Sequence, residues 1–163
     1  MKLFKASSQY FHQKFSDIHA GIQQSSRVAV RYVDLGVKTL RILCYSNEFL
    51  PLMERQLTFS LRAEAPSYDA TMVIWKNPDI ASEYPEPVQG FDLDLHQVLS
   101  INENAGVFRG YDEVDNTFYY SVSDLSPEEF IKQGHMFVRV FYDLLKTDDS
   151  NLVHGACVGL DGK

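Results

Sequence analysis

Apolar residues recur at helical spacing near the N-terminus and predict an amphipathic helix over residues 7–22. The apolar stripe consists of Phe4, Phe11, Phe15, Ile18 and Ile22. Ser7 or Ser8 is a suitable N-cap, because its hydroxyl can accept a hydrogen bond from a backbone N–H of the first turn. His12 and His19 share one face of this helix, but the sequence shows no partner ligands for them. We therefore interpret both histidines as ordinary helix residues.

Alternating apolar and polar residues then predict an antiparallel hairpin over residues 27–34 and 38–45, with a break between the two strands. In the first strand the predicted inward residues are Val28, Val30 and Tyr32, and the outward residues are Arg27 and Arg31. In the second strand the predicted inward residues are Leu40, Ile42 and Cys44.

Three further segments follow in the middle of the chain. Residues 48–58 predict a short helix that has Pro51 in its first turn, where proline is tolerated. Residues 70–76 predict a third strand, in which we interpret Trp75 as a core residue. Residues 77–90 carry three prolines and predict a loop.

Residues 91–96 also alternate, and a strand there would place Asp92, Asp94 and His96 on one face. Two carboxylates and an imidazole can bind a divalent cation. The alternation alone also explains them as the solvent-facing side of a strand, which is the interpretation we favour.

Residues 107–114 and 117–122 predict a second hairpin that turns at Asp115-Asn116. Asp112, Glu113 and Asp115 gather at its tip, but they lack the ligand spacing and the following glutamate of an EF-hand. We interpret the tip as acidic and solvated.

The clearest local signal is a capping box that begins a long helix over residues 126–146. Ser126 is its N-cap, Pro127 its first residue and Glu129 the reciprocal capping residue. The apolar stripe consists of Phe130, Phe137, Phe141 and Leu144, and it is widened by Met136, Val140 and Leu145. We expect this helix to be buried over much of its circumference.

The last eleven residues, 153–163, predict a buried strand that runs into an Asp-Gly turn. We expect the second strand of this hairpin to lie beyond Lys163, so that the sequence stops in the middle of a domain. His154 lies in this strand, and the residue pattern by itself favours a core histidine over an active-site histidine.

Composition narrows the classes of function. The 163 residues are 45% hydrophobic and 13% aromatic, which is enough for a substantial core. The formal net charge of −7 and the lack of a Lys/Arg cluster argue against a nucleic-acid partner and against anionic membranes. No apolar run reaches membrane-spanning length. We expect a cytoplasmic protein in which Cys44 and Cys157 are reduced core thiols.

No complete catalytic constellation occurs in the sequence. It contains no Gly-x-Ser-x-Gly elbow, no Cys-x-x-Cys pair, no His-Glu-x-x-His motif and no Gly-x-x-x-x-Gly-Lys-Ser/Thr phosphate loop. We assign no metal ligands from the sequence.

A resemblance adds to this pattern. Residues 130–163 combine an aromatic-rich helix, an acidic loop and the run Leu-Val-His-Gly-Ala-Cys-Val-Gly-Leu-Asp-Gly-Lys. This stretch resembles the one preceding the phosphate loop in HPr kinase/phosphorylase-like proteins, and more narrowly in HPr-kinase-related bacterial proteins. His154 matches the histidine before the phosphate loop, which is regarded as an active-site residue in that family, and Gly155 matches its neighbour.

The resemblance implies phosphoryl transfer from ATP to a protein serine, with Mg²⁺ as the second cofactor. It implies a catalytic role for His154 and cofactor-binding positions at Gly155, Gly162 and Lys163. The phosphate loop would follow Lys163, so we expect residues 1–163 to bind no ATP or Mg²⁺ by themselves. The chain would be the N-terminal regulatory or substrate-recognition portion of such a kinase, with a protein substrate as partner. The alternative is a stand-alone, non-enzymatic protein-binding module with an acidic α+β fold.

Together the elements predict an α+β fold: a mainly antiparallel sheet with flanking helices, and a long helix that leads into the first strand of a P-loop kinase-like domain. The predicted divisions are an N-terminal helix (1–25), an α+β domain (26–125) and a bridging helix with the first strand of a truncated kinase-like domain (126–163).

A final strand without a partner exposes backbone hydrogen-bonding groups along its edge, so we expect residues 1–163 to form a homo-oligomer through that strand. Sedimentation over a range of concentrations measures this, and the average mass should rise with concentration. A strict monomer at high concentration would contradict the prediction.

Overall fold

The computed structural model describes residues 1–25, 27–57, 60–101, 106–123 and 135–146, and these form a nine-stranded mixed sheet with helices against it. The strands are β1 (Lys2–Lys5), β2 (Ala29–Asp34), β3 (Thr39–Cys44), β4 (Leu61–Arg62), β5 (Ala70–Lys76), β6 (Val88–Phe91), β7 (Gln97–Ile101), β8 (Val107–Asp112) and β9 (Thr117–Val122). The helices are α1 (Ser8–Ser25), α2 (Phe49–Gln56), α3 (Ile80–Glu83) and α4 (His135–Leu145).

The strand order across the sheet is β1-β6-β7-β8-β9-β5-β3-β2-β4. The pairs β1–β6, β3–β5 and β5–β9 are parallel, and the other neighbouring pairs are antiparallel. The predicted α+β class with a mainly antiparallel sheet is therefore confirmed. The predicted strand at 153–163 lies outside the described residues.

Both faces of the sheet are covered at its centre. In β5, Met72 and Ile74 point to one face and Val73 and Trp75 to the other, and all four are buried. The first face packs against α2 and α4, and the second packs against α1. We call these the α2/α4 face and the α1 face.

Most of the predicted elements are present. The helices at 7–22 and 48–58, the strand at 70–76 and the hairpins β2–β3 and β8–β9 are confirmed. In β3 the predicted inward residues Leu40, Ile42 and Cys44 are buried on the α2/α4 face. Trp75 is a core residue, as predicted.

The inward side of β2 was predicted wrongly. Val33 is fully buried in the core on the α2/α4 face, while Val28 is 44% exposed. Arg31, predicted to point outward, donates to Glu54 of α2 at 2.7 Å. Helix α2 lies over the side of β2 that carries Arg31 and Val33, so that side is the buried one. The other side carries more apolar residues, which is why the sequence pattern favoured it.

The prediction of a strand over residues 91–96 is also wrong, because β6 ends at Phe91 and the chain then turns. The backbone N–H of Asp92 donates to the His96 carbonyl, and the N–H of His96 donates back to Asp92 Oδ1 at 2.9 Å. Leu93 and Leu95 are 68% and 60% exposed at the turn. The carboxylates and imidazole therefore do not line one strand face, and the pattern reflects a hairpin loop that leads into the unpredicted strand β7. Strand β1 was also missed, and the predicted 77–90 loop contains α3 and the start of β6.

The long C-terminal helix is described from His135 onward as α4. Phe137 and Val140 are buried, and Phe141 and Leu144 pack against the same cluster, as the stripe predicted. The capping box at 126–129 lies outside the described residues.

Cys44 is a buried free thiol whose pKa is raised mainly by burial. In the described part of the chain, no helix combines the length and the apolar character needed to cross a bilayer.

Helix α1 is held to the sheet by an aromatic side chain that lies over a glycine. Phe15 stacks on Tyr119 of β9 with ring centroids 5.0 Å apart and is almost completely buried. A Cβ added at Gly110 of β8 would lie 2.4 Å from Phe15 Cε1, closer than two non-bonded carbon atoms approach each other. The glycine therefore sets how closely α1 approaches the sheet.

We predict that Gly110→Ala lowers the free energy of unfolding by about 1–3 kcal/mol, because the ring of Phe15 must move and the helix with it. Chemical denaturation measures the change. Gly21→Ala is the matched control, because an added Cβ there meets nothing within 4 Å and the helix should gain about 0.5–1 kcal/mol. Equal stability of Gly110→Ala and the wild type would contradict the close helix–sheet approach.

Candidate functional site

A row of polar side chains crosses the α1 face at one end of the sheet. The strand register pairs Arg41 with Thr71, Thr71 with Thr117, and Thr117 with Asp112. These four residues of β3, β5, β9 and β8 form what we call the polar row. Thr71, Thr117 and Asp112 are buried, and the next residues along the same face are apolar or glycine. The row is therefore a polar border to the aromatic core under α1.

Helix α1 brings His12 to the end of the polar row. His12 Nδ1 lies 2.7 Å from Asp112 Oδ2 and 3.8 Å from Asp115 Oδ2. Asp112 is 2% exposed, and its second oxygen accepts a hydrogen bond from the Val114 N–H at 3.1 Å. The site thus combines a fixed, buried carboxylate with an imidazole and a solvent-exposed carboxylate.

A second polar contact joins the same two elements. The Ser8 hydroxyl in the first turn of α1 donates to the carboxylate of Glu113 in the β8–β9 turn. Together with the His12–Asp112 pair, it fixes the N-terminal half of α1 against the hairpin tip. The predicted solvated tip is therefore corrected: Asp112 is buried and paired, because it continues the inward phase of Phe108 and Gly110 along β8. The alternation of Phe108, Gly110 and Asp112 along β8 was the sequence signal that could have identified Asp112 as buried.

The carboxylates change the proton affinity of His12. The hydrogen bond that His12 donates to Asp112 raises the pKa of His12 above its ordinary value, the charges of Asp112 and Asp115 add to this, and partial desolvation opposes them. The folded state therefore holds the proton more tightly than the unfolded chain. The resulting stabilisation is complete below the unfolded pKa and is lost as the pH rises through the folded pKa.

His19 lies two turns further along the same face of α1 but in a different environment. Its Nε2 is 3.2 Å from Tyr45 Oη and 3.2 Å from Gln23 Nε2. Burial, and then the charge of Arg41, lower the pKa of His19 below its ordinary value. The effect of His19 on stability is therefore opposite to that of His12. Its folded state holds the proton less tightly than the unfolded chain, so stability is lost as the pH falls from the pKa of the unfolded chain toward that of the folded protein. Burial likewise raises the pKa of neighbouring Tyr119 well above its usual range.

Arg41 forms the other end of the polar row. Its Nη2 donates to Thr71 Oγ1 at 3.0 Å, and its guanidinium lies over the ring of Tyr68 at 4.0 Å from the ring centroid. Its Nε is buried and has no hydrogen-bond partner among the described residues. Stacking and one hydrogen bond therefore orient this cation along the sheet.

On the opposite side of α1 lies an aromatic groove, which we call the α1 groove. Its volume is about 730 Å³, and it is bounded by α1, by strands β1 and β6 to β8, and by residues 83–86. Phe4 and Phe11 form part of its wall, Tyr84 and Pro85 part of its rim, and Lys14 of α1 adds a charge. The α1 groove has the shape and polarity for an apolar side chain near charged groups.

Chemically, the described residues offer one candidate metal-binding group, formed by His12, Asp112 and Asp115. One donor atom from each of these residues lies within 4.8 Å of the other two. Sequence reasoning treated His12 as an ordinary helix residue, because its partners are about 100 positions away in the chain. The sequence-predicted site residues His154, Gly155, Gly162 and Lys163 all lie outside the described residues.

We predict that the two α1 imidazoles titrate on opposite sides of pH 6.5 in protein freed of metal with a chelator. NMR titration of the ring protons should place the pKa of His12 above that value and the pKa of His19 below it. Asp112→Asn should lower the pKa of His12 and leave His19 unchanged, since only His12 contacts Asp112. A His12 pKa that does not respond to Asp112→Asn would contradict the pairing.

The comparisons with known proteins give no match. A scan against protein-family models finds no matching family, and searches of the curated proteins and of the solved structures find no similar protein. The support for a function therefore comes from the residues of this chain and from the arrangement of its described part.

Proposed function

We propose that this chain is the N-terminal regulatory or substrate-recognition portion of an HPr-kinase-like, ATP-dependent serine kinase of the bacterial cytoplasm. The observation that carries the proposal is the run from Leu152 to Lys163, in which His154 and Gly155 match the histidine before the phosphate loop of such kinases and its neighbour. In this proposal the kinase phosphorylates a protein substrate, and the described domain contributes to recognising it.

Within the proposal, the C-terminal residues have distinct roles. His154 is the catalytic residue on this side of the phosphate loop, and Gly155, Gly162 and Lys163 lie next to the bound nucleotide. ATP would supply the phosphoryl group, and Mg²⁺ together with the loop amides would stabilise its charge in the transition state. The loop follows Lys163 in this proposal, so nucleotide binding belongs to a longer protein.

The described domain supports a recognition role in two ways. Helix α4 is anchored by Phe137 and Val140 in the main core, and it ends only a few residues before the run that carries the resemblance. A recognition domain joined this way would hold its surfaces in a defined position relative to the next strand. The α1 groove, with aromatic walls and charges of both signs, has the polarity expected of a surface that meets a protein.

The alternative is a stand-alone, non-enzymatic protein-binding module. It is favoured by the net charge of −7 and by the α1 groove, neither of which requires a kinase. The coding sequence after Lys163 distinguishes the two proposals. A frame that continues into Gly-x-x-Gly-x-Gly-Lys-Ser/Thr supports the kinase, and a stop codon at that point leaves the binding module.

We predict that residues 1–163 give no measurable heat of binding in a calorimetric titration with Mg-ATP, because the loop whose amides hold the phosphates is absent from this sequence. The matched control is the same protein extended through the continuing frame, which should bind Mg-ATP. Clear saturable binding by residues 1–163 would overturn the proposed division of roles, and so would a continuing frame without a phosphate loop.

A further inference from the structure

We propose that His12, Asp112 and Asp115 form a binding site for Zn²⁺ that joins helix α1 to the β8–β9 hairpin. The ligands would be Nδ1 of His12 and one carboxylate oxygen from each aspartate, with water in the fourth position. This site is independent of the proposed kinase function, and its test does not involve nucleotide.

The two distances from His12 are close to those of a small tetrahedral ion, and the two carboxylate ligands lie within 4.8 Å of each other. With metal–ligand bonds of about 2.1 Å, two ligand atoms of a tetrahedral site lie about 3.4 Å apart. His12 Nδ1 and Asp115 Oδ2 are already 3.8 Å apart. The hydrogen-bonded pair of His12 Nδ1 and Asp112 Oδ2, at 2.7 Å, must separate by roughly 0.7 Å to admit the ion.

The parts of the site differ in how firmly they are held. Asp112 is buried, and its other oxygen accepts the Val114 N–H, so this ligand is oriented before any ion arrives. The side chain of Asp115 is 61% exposed in the hairpin turn and can adjust its position. The side chain of His12 is 26% exposed, which leaves solvent access for a water ligand and for entry of the ion.

The charges also match a divalent cation. Two carboxylates and a neutral imidazole carry a charge of −2, and the Glu113 carboxylate in the same turn adds negative potential nearby. Imidazole is a preferred ligand of zinc, whereas Ca²⁺ and Mg²⁺ select oxygen donors in larger numbers. The proton on Nδ1 of His12 must leave that nitrogen before it can bind a metal: an imidazolium ring releases it to solvent, and a neutral ring carries its proton on Nε2 instead.

The competing interpretation is an ion pair that only fastens α1 to the hairpin. An ion pair needs only His12 and Asp112. Asp115 would contribute little to it, because its carboxylate lies 3.8 Å from the imidazole and is largely exposed. A zinc site needs all three residues. Asp115 is therefore the residue that separates the two interpretations, and its replacement should leave the fold intact because the side chain lies at the surface.

The test is calorimetric titration of the chelator-treated full chain with ZnCl₂, for the wild type, His12→Gln and Asp115→Asn. Two buffers that differ in ionisation enthalpy separate the heat of any released proton from the heat of metal binding. We expect wild-type binding at one equivalent, weakened at least about tenfold by either substitution. NMR spectra should show the His12 ring signals shifting with Zn²⁺ while those of His19 stay in place.

Two matched controls report on zinc held elsewhere. His19→Gln removes a histidine from the same helix, and Asp94→Asn removes an exposed aspartate from the β6–β7 turn. Both should keep the wild-type affinity. The proposal is overturned if the wild type binds no Zn²⁺, or if Asp115→Asn binds as tightly as the wild type. It is overturned equally if His19→Gln loses the same affinity as His12→Gln.

Discussion

The contact of Phe15 with the sheet at Gly110 is the constraint on which the α1 face depends. Because Gly110 has no side chain, the ring of Phe15 can lie against the strand and stack on Tyr119. That approach sets the height of α1 above the sheet. It brings His12 to Asp112 and His19 to Tyr45 on one side of the helix, and the α1 groove opens on the other.

Asp112 imposes the second constraint, because a buried carboxylate is costly unless a cation or hydrogen-bond donors compensate it. The Val114 N–H satisfies one oxygen and His12 the other. The imidazole can compensate the charge as an imidazolium, or the neutral ring and both carboxylates can together compensate a divalent ion. In either case His12 of α1 takes part, as the cation or as a ligand of the ion. The chemistry of the hairpin tip is thus tied to the docking of a helix from the other end of the sequence.

The periodicity of the sequence was sufficient to predict the buried residues of an element that has one clearly apolar face. The stripe of α1 and the inward residues Leu40, Ile42 and Cys44 of β3 follow from local spacing, and the structure confirms them. It failed where tertiary contacts choose the face. In β2, both phases of alternation carry apolar residues, and the position of α2 decides that Val33 is the buried one. The candidate site could not be assembled from spacing, since His12 and Asp112 meet only through the packing of α1 on β8.

The β8–β9 hairpin connects the two faces of the protein. On the α1 face it carries Asp112 and Thr117 of the polar row. On the α2/α4 face, Tyr111 stacks on Phe118 at a centroid distance of 4.7 Å, in the cluster that buries Val140 of α4. Tyr111 and Asp112 are consecutive in β8, so the strand that holds the buried carboxylate for His12 also holds the aromatic ring that packs in the α4 cluster.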